Sequence, residues 1–135
     1  MNMTFAMIKP DAIESKNIGN IISTIELNGF KILRMNKIVL SAAQAKQFYG
    51  IHKERSFFGE LIDYIISGPV VILALEKPDA VNQWRNLIGA TNPSNAAVGT
   101  IRRMYAESIG RNAVHGSDSE ENAIIELKFF FNDLF

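Results

Sequence analysis

The chain contains no cysteine, which excludes a disulfide framework and any zinc site built on thiolates, and fits a reducing compartment. It also lacks net charge: 14 basic residues cancel 14 acidic ones, so no global field draws it to nucleic acid or to an anionic membrane. An anionic substrate would need a local cluster of cations. Long hydrophobic runs are missing too, since Val70 to Leu75 and Phe129 to Phe131 fall far short of the roughly 20 residues a membrane helix needs. Near the N-terminus, Lys9, Pro10 and Asp11 interrupt the short apolar segment, which therefore does not read as a signal peptide. These absences predict a soluble, cytoplasmic protein. No repeat or low-complexity tract marks a linker. With 135 residues and 47% hydrophobic content, the chain suits one compact domain over residues 1–135.

What is present alternates in type. Thr4 to Ile8 is apolar and stopped by Lys9-Pro10-Asp11, which predicts a buried strand ending in a proline-fixed turn, with Lys9 at the strand end. Ile18, Ile21, Ile22 and Ile25 follow a helical stripe that stops at Asn28-Gly29, so a helix is expected over about 17–28. Phe30 to Leu40 has strand character, and Ser41 is placed to cap a helix through Tyr49. A further helix is expected over Phe58 to Ile66, ended by Ser67-Gly68-Pro69, then a central strand over Val70 to Leu75 and a helix over Ala80 to Ile88. Residues 89–100 are too polar and too rich in Gly, Pro and Asn for a core element, and predict a long loop. A short helix at Ile101 to Ala106, a strand through Arg111 to His115 and a helix from Ser119 to Phe131 complete the order. This succession predicts an α+β sandwich, with a four-stranded antiparallel sheet covered by helices on one face.

One of only two histidines lies in Asn112-Ala113-Val114-His115-Gly116-Ser117-Asp118-Ser119. Imidazole keeps a large neutral fraction near physiological pH, so it can act as a nucleophile without a strong external base. Gly116 would leave room for a bulky incoming group, and Ser117 offers a hydroxyl donor. The same small polar residues are also the usual residues of a surface turn, and the segment by itself reads first as one.

Five strings resemble the nucleoside diphosphate kinase family in order and spacing: Ile8 to Ala12 (IKPDA), residues 67–71 (SGPVV), 89–93 (GATNP), 99–102 (GTIR) and 112–119 (NAVHGSDS). The resemblance spans essentially the whole chain. It implies a ferredoxin-like α/β sandwich and a ping-pong transfer of the γ-phosphoryl group from a nucleoside triphosphate to a diphosphate. By similarity, His115 is the nucleophile that becomes phosphohistidine and Glu126 holds the ring's other nitrogen. Lys9 would contact the transferring phosphate and, with Asn112, the ribose, while Arg85, Thr91 and Arg102 would hold the phosphate chain. Phe57 would stack on the base, exposed where Phe58 is buried, with Leu61 and Ile109 as apolar neighbours; stacking implies broad base specificity. Tyr49 would hydrogen-bond near the histidine, His52 would reach a more distant phosphate, and Ser117 would sit beside the transferring group. Magnesium would arrive with the nucleotide phosphates, because no dedicated protein cage is visible and Asp118, Glu120 and Glu121 would touch only its water shell.

Ser56 stands where the family usually has proline, Arg103-Met104 where a small or polar residue precedes an acidic one, and Trp84 before Arg85 is unusual. Without the resemblance, Arg85 and Glu126 would read as solvated helix residues. The aromatic end, Phe129 to Phe135, must pack on its own sheet or between subunits, and the family resemblance implies a homo-oligomer built on a dimer, either a tetramer or a hexamer. A binding module on the same scaffold is the rival reading, but it has no need of a nucleophile. Nucleic acid is not expected as the main partner of a neutral chain.

Overall fold

The computed structural model describes residues 2–50 and 54–135. Four strands, β1 (Met3–Ile8), β2 (Lys31–Ile38), β3 (Val70–Glu76) and β4 (Val114–Gly116), form one sheet in the order β2-β3-β1-β4. All three pairings are antiparallel. The two interior strands are the two most apolar. Every residue of β1 after Met3, and of β3 before Glu76, is buried. Such runs have no polar alternation because both sides of the strand are covered.

That double burial corrects the one-sided covering expected from the sequence. On one face Ala6, Ile8, Val71, Leu73 and Leu75 pack against Ile21 and Ile25 of α2 (Ile18–Leu27) and Trp84 and Ile88 of α5 (Ala80–Ile88). On the other, Phe5, Met7, Val70, Ile72 and Ala74 pack against α3 (Ala42–Phe48), α4 (Phe58–Ile65) and α7 (Glu120–Phe130). The aromatic end packs on its own sheet: Phe130 stacks on Phe5 with ring centroids 5.3 Å apart, and Phe131 is buried.

Local signals set most boundaries. Ser41 and Gln44 form a reciprocal capping box at the start of α3. Gly29, at φ 85°, follows α2 as its left-handed stop. Two expectations fail. Lys9-Pro10-Asp11 is not a turn but the start of α1 (Pro10–Glu14), with proline in the first helical turn, where its missing N–H costs nothing. The last strand is Val114–Gly116 and not Arg111 to His115, because Ala113 adopts φ 73° and keeps the residues before it out of the ladder. The expected loop at 89–100 is present, tightened by a 3-10 turn at Pro93–Asn95 and closed by Thr100, which caps α6 (Ile101–Tyr105). Arg103 donates to the carbonyls of Ser94 and Ala96, so it braces this loop in place of a local charge pair.

Candidate active site

His115 sits on the edge strand β4, directly opposite Met7 of β1. Its ring is half-buried among aromatics, with Phe48 and Tyr49 edge-on at 5.4 and 6.4 Å between centroids. From α7, Glu126 reaches the ring: Nε2 lies 2.8 Å from Glu126 Oε1. Ala123 and Leu127, both buried, turn this face of α7 inward and carry Glu126 with it, so it is no solvated helix residue. Because a carboxylate only accepts, the contact assigns the proton of a neutral imidazole to Nε2 and leaves Nδ1 with a free lone pair. Ser117 Oγ donates to the same Glu126 oxygen at 2.8 Å and is fully buried. It therefore stands behind Glu126, not at the open side of the ring.

The cations arrive from three elements. Lys9, at the end of β1, donates from Nζ to Asn112 Oδ1 at 2.9 Å. Burial, reinforced by Arg102, pushes the Lys9 ammonium down to about 8. Arg102 of α6 donates to the carbonyls of Gly89 and Val114, both at 3.0 Å. Its Nε is buried and finds no hydrogen-bond partner among the described residues. Burial first, then the neighbouring Arg85, lowers the Arg102 pKa to about 10. Cations crowded closely enough to weaken one another's charge form a site for an anion.

A cavity of about 910 Å³ opens over His115. Lys9, Tyr49, Thr91 and Glu126 line it, together with the apolar side chains of Phe57, Leu61 and Ile109. A recess of about 220 Å³ shares Thr91 and Gly116 with it and adds Arg85 and Arg102. Phe57 is exposed as expected, but Phe58 is only half-buried. Asn112 lies beneath the surface and meets the cavity through Lys9. Tyr49 is buried, and burial raises its phenol well above the ordinary range, with Glu126 adding to the effect. His52 lies outside the described residues.

Gly116 has a different reason from the one its sequence context suggests. A Cβ there would stand 2.7 Å from Trp84 Cδ1 and 3.1 Å from Ile88 Cδ1, so glycine allows α5 to pack on the strand. Trp84 Nε1 in turn donates to the His115 carbonyl at 3.2 Å, which gives that unusual tryptophan a place in the site's support. Sequence reasoning missed Phe48, Tyr64 and Arg111, which also line the cavity. Phe48 precedes Tyr49 at the end of a capped helix and was legible as an inward position; no local signal marks Tyr64 or Arg111.

The sequence profile of the family described as nucleoside diphosphate kinase matches residues 2–134. The chain belongs to the nucleoside diphosphate kinase family. It is 54% identical over 134 residues to the nucleoside diphosphate kinase of Pelobacter propionicus, covering 99% of this chain and 98% of that one. It is 55% identical over 132 residues to that of Lawsonia intracellularis, covering 98% and 96%. Among solved structures, the Aquifex aeolicus nucleoside diphosphate kinase superposes with a TM-score of 0.96 at 38% identity, covering 98% of this chain and 96% of that one. The Halobacterium salinarum nucleoside diphosphate kinase, solved in complex with CDP, gives 0.93 at 37% identity, covering 98% and 90%. The fold is the ferredoxin-like sandwich that the sequence resemblance implied. The activity is that of a nucleoside diphosphate kinase, a phosphotransferase working through a phosphohistidine.

Proposed function

We propose that His115 carries the phosphoryl group, and that it attacks through Nδ1. The observation behind this is the 2.8 Å contact between Nε2 and Glu126, which leaves Nδ1 as the nitrogen able to donate an electron pair. In the first half-reaction the Nδ1 lone pair forms a bond to the γ-phosphorus of a nucleoside triphosphate. The bond from that phosphorus to the β,γ-bridging oxygen breaks, and the diphosphate leaves with its electrons. The second half-reaction reverses these steps with a different diphosphate. The ring gains positive charge as the N–P bond forms, and the Glu126 carboxylate opposes it from the far nitrogen.

Lys9, Arg85 and Arg102 would receive the phosphate chain, with Thr91 shared by the cavity and its recess. Lys9, held by Asn112, would meet the ribose, Phe57 would stack on the base, and Leu61 and Ile109 would flank it. The apolar side chains at that end, Phe57, Leu61 and Ile109, support use of all common bases, because stacking is indifferent to base identity. Ser117 and Tyr49 act as positioning groups through Glu126 and the His115 ring.

Magnesium would enter with the nucleotide and neutralise phosphate charge. Among the described residues no three His, Asp or Glu side chains stand together as a cage, and Glu126 is occupied by His115 and Ser117. Asp118, at the cavity wall, is the carboxylate placed to reach a metal's water shell. We also propose that residues 1–135 act as one domain. Cytoplasmic placement accords with the lack of cysteine, and no described helix is long and apolar enough to cross a membrane. A homo-oligomer built on a dimer is supported by the edge strand β2, most of which is exposed, Met35 included.

The test is intact-protein mass after brief incubation with Mg-ATP and no acceptor, for the native chain and for His115→Ala. A single acid-labile phosphoryl adduct, discharged by a nucleoside diphosphate and missing from the variant, is the expected result. Nucleotide binding without any adduct on the native chain would leave a binding module instead.

A further inference from the structure

Between the cavity wall and β4 lies a carboxylate that the phosphoryl-transfer scheme does not use. Asp11, on α1, is 1% exposed. Its Oδ1 accepts the hydroxyl of Tyr64, and its Oδ2 accepts the backbone N–H of Ala113 at 3.0 Å. Ala113 is the centre of a tight turn: the Val114 N–H donates to the Asn112 carbonyl at 2.8 Å across it, and Ala113 itself sits at φ 73°. A three-residue turn with positive φ at its centre is rare and strained, and a residue with a Cβ adopts it only when its surroundings hold it there. On the other side, the Lys9 N–H donates to the Ala113 carbonyl at 2.8 Å. The turn is thus held by its N–H and by its C=O from residues two apart in the chain, Asp11 and Lys9.

The residues flanking Ala113 are the ones the site depends on. Asn112, immediately before, receives the Lys9 ammonium; His115, two residues later, is the first site residue of β4. We infer that Asp11 is a positioning residue for phosphoryl transfer, whose carboxylate holds the strained turn at Ala113 and so sets where Asn112 and His115 stand. The inference rests on the assignment of His115 as the nucleophile. A carboxylate suits the task because both groups facing it are donors, and it accepts from both without offering a proton of its own. Tyr64 keeps its proton for this purpose, since burial and the Asp11 contact raise its pKa well above the ordinary range. Asparagine in place of Asp11 would turn an NH₂ toward one of the two donors and leave that bond unmade.

The experiment measures the rate of His115 phosphorylation by Mg-ATP in a single turnover, with thermal midpoints, for the native chain, Asp11→Asn and the double variant Asp11→Asn with Ala113→Gly. All rates are taken well below the midpoints, so that every chain measured is folded. Asp11→Asn is expected to phosphorylate roughly 10- to 100-fold more slowly, the scale of loss that small misplacements of a reacting group cause. Glycine adopts positive φ without support, so the double variant is expected to recover most of that rate. A carboxylate that merely stabilised the fold would not have its rate defect repaired by glycine at 113. A native rate in Asp11→Asn, or a loss that Ala113→Gly does not repair, overturns the inference. If Asp11→Asn alone does not fold, the double variant decides: a folded, phosphorylated double variant supports the inference and an unfolded one overturns it. A native chain that forms no phosphohistidine would instead overturn the assignment of His115.

Discussion

Replacing Glu126 with glutamine tests the electrostatic part of the proposed mechanism with almost no change in shape. The Glu126 carboxylate accepts from His115 Nε2 and Ser117 Oγ, each at 2.8 Å. Glutamine's single carbonyl oxygen can still accept from both, so the ring should keep its orientation. The full charge opposing the phosphorylated ring is lost. A hydrogen bond to an ionised partner contributes about 1.5–3 kcal/mol against about 1 kcal/mol for a neutral one, so the difference is about 1–2 kcal/mol. His115 and Glu126 side chains are only 20% and 18% exposed, so solvent screens little of it. Such a difference in the transition state corresponds to roughly a 5- to 30-fold slower phosphorylation. Rapid-quench measurement of phosphohistidine formation, with thermal unfolding as a control on folding, provides the assay. A Glu126→Gln rate within about twofold of native, at a native midpoint, would refute the claim that carboxylate charge stabilises the reacting ring; a loss above about a thousandfold would show that the amide had turned and forced the wrong tautomer.

The Lys9 ammonium, held down to about 8, should lose its proton between about pH 7 and 9, so nucleotide affinity measured by calorimetry should fall across that window and the inflection should vanish in Lys9→Met; an affinity flat with pH in the native chain would contradict it. The same depression means that the unfolded chain binds the Lys9 proton more tightly than the folded one. This residue therefore adds stability to the nucleotide-free chain as pH rises from about 8 toward the ordinary lysine range, and a thermal midpoint series in that range compared with Lys9→Met would show it. Gly116→Ala would drive a methyl into Trp84 at 2.7 Å, an overpacking of about 1–3 kcal/mol, lowering the thermal midpoint by roughly 3–10 °C; an unchanged midpoint would mean α5 can slide away freely. Phe57→Ala should raise KM by roughly 5- to 30-fold for purine and pyrimidine substrates alike, at little cost in stability, because a stacking platform is indifferent to base identity and this ring is 43% exposed; a base-dependent change would point to a polar reader elsewhere.

Elements whose cause is local were legible in the sequence. The apolar run at Val70 announces an interior strand, and Ser41 with Gln44 announces a capped helix, because burial and capping act on neighbours in the chain. Pro10 misleads because proline both stops a strand and starts a helix, and the choice between the two is made by the residues after it. The site divides along the same line. His115 stands out among small polar residues, yet Glu126 does not: Ile124 and Ile125 beside it are exposed while Ala123 and Leu127 are buried, so no apolar stripe shows which face of α7 turns inward. Its role was visible only through resemblance to a family. Asp11 is harder still. An acidic residue after proline is ordinary turn or helix-start chemistry, and nothing near it announces burial. The partners that make its burial tolerable, Tyr64 and the Ala113 amide, lie 53 and 102 residues away. Lys9 meets Asn112 across 103 residues. A buried charge must be satisfied by whatever the fold brings to it, so the groups that hold this site in place are specified by the pairing of β1 with β4, and a reading that stops at local pattern finds the reacting histidine but not the residues that aim it.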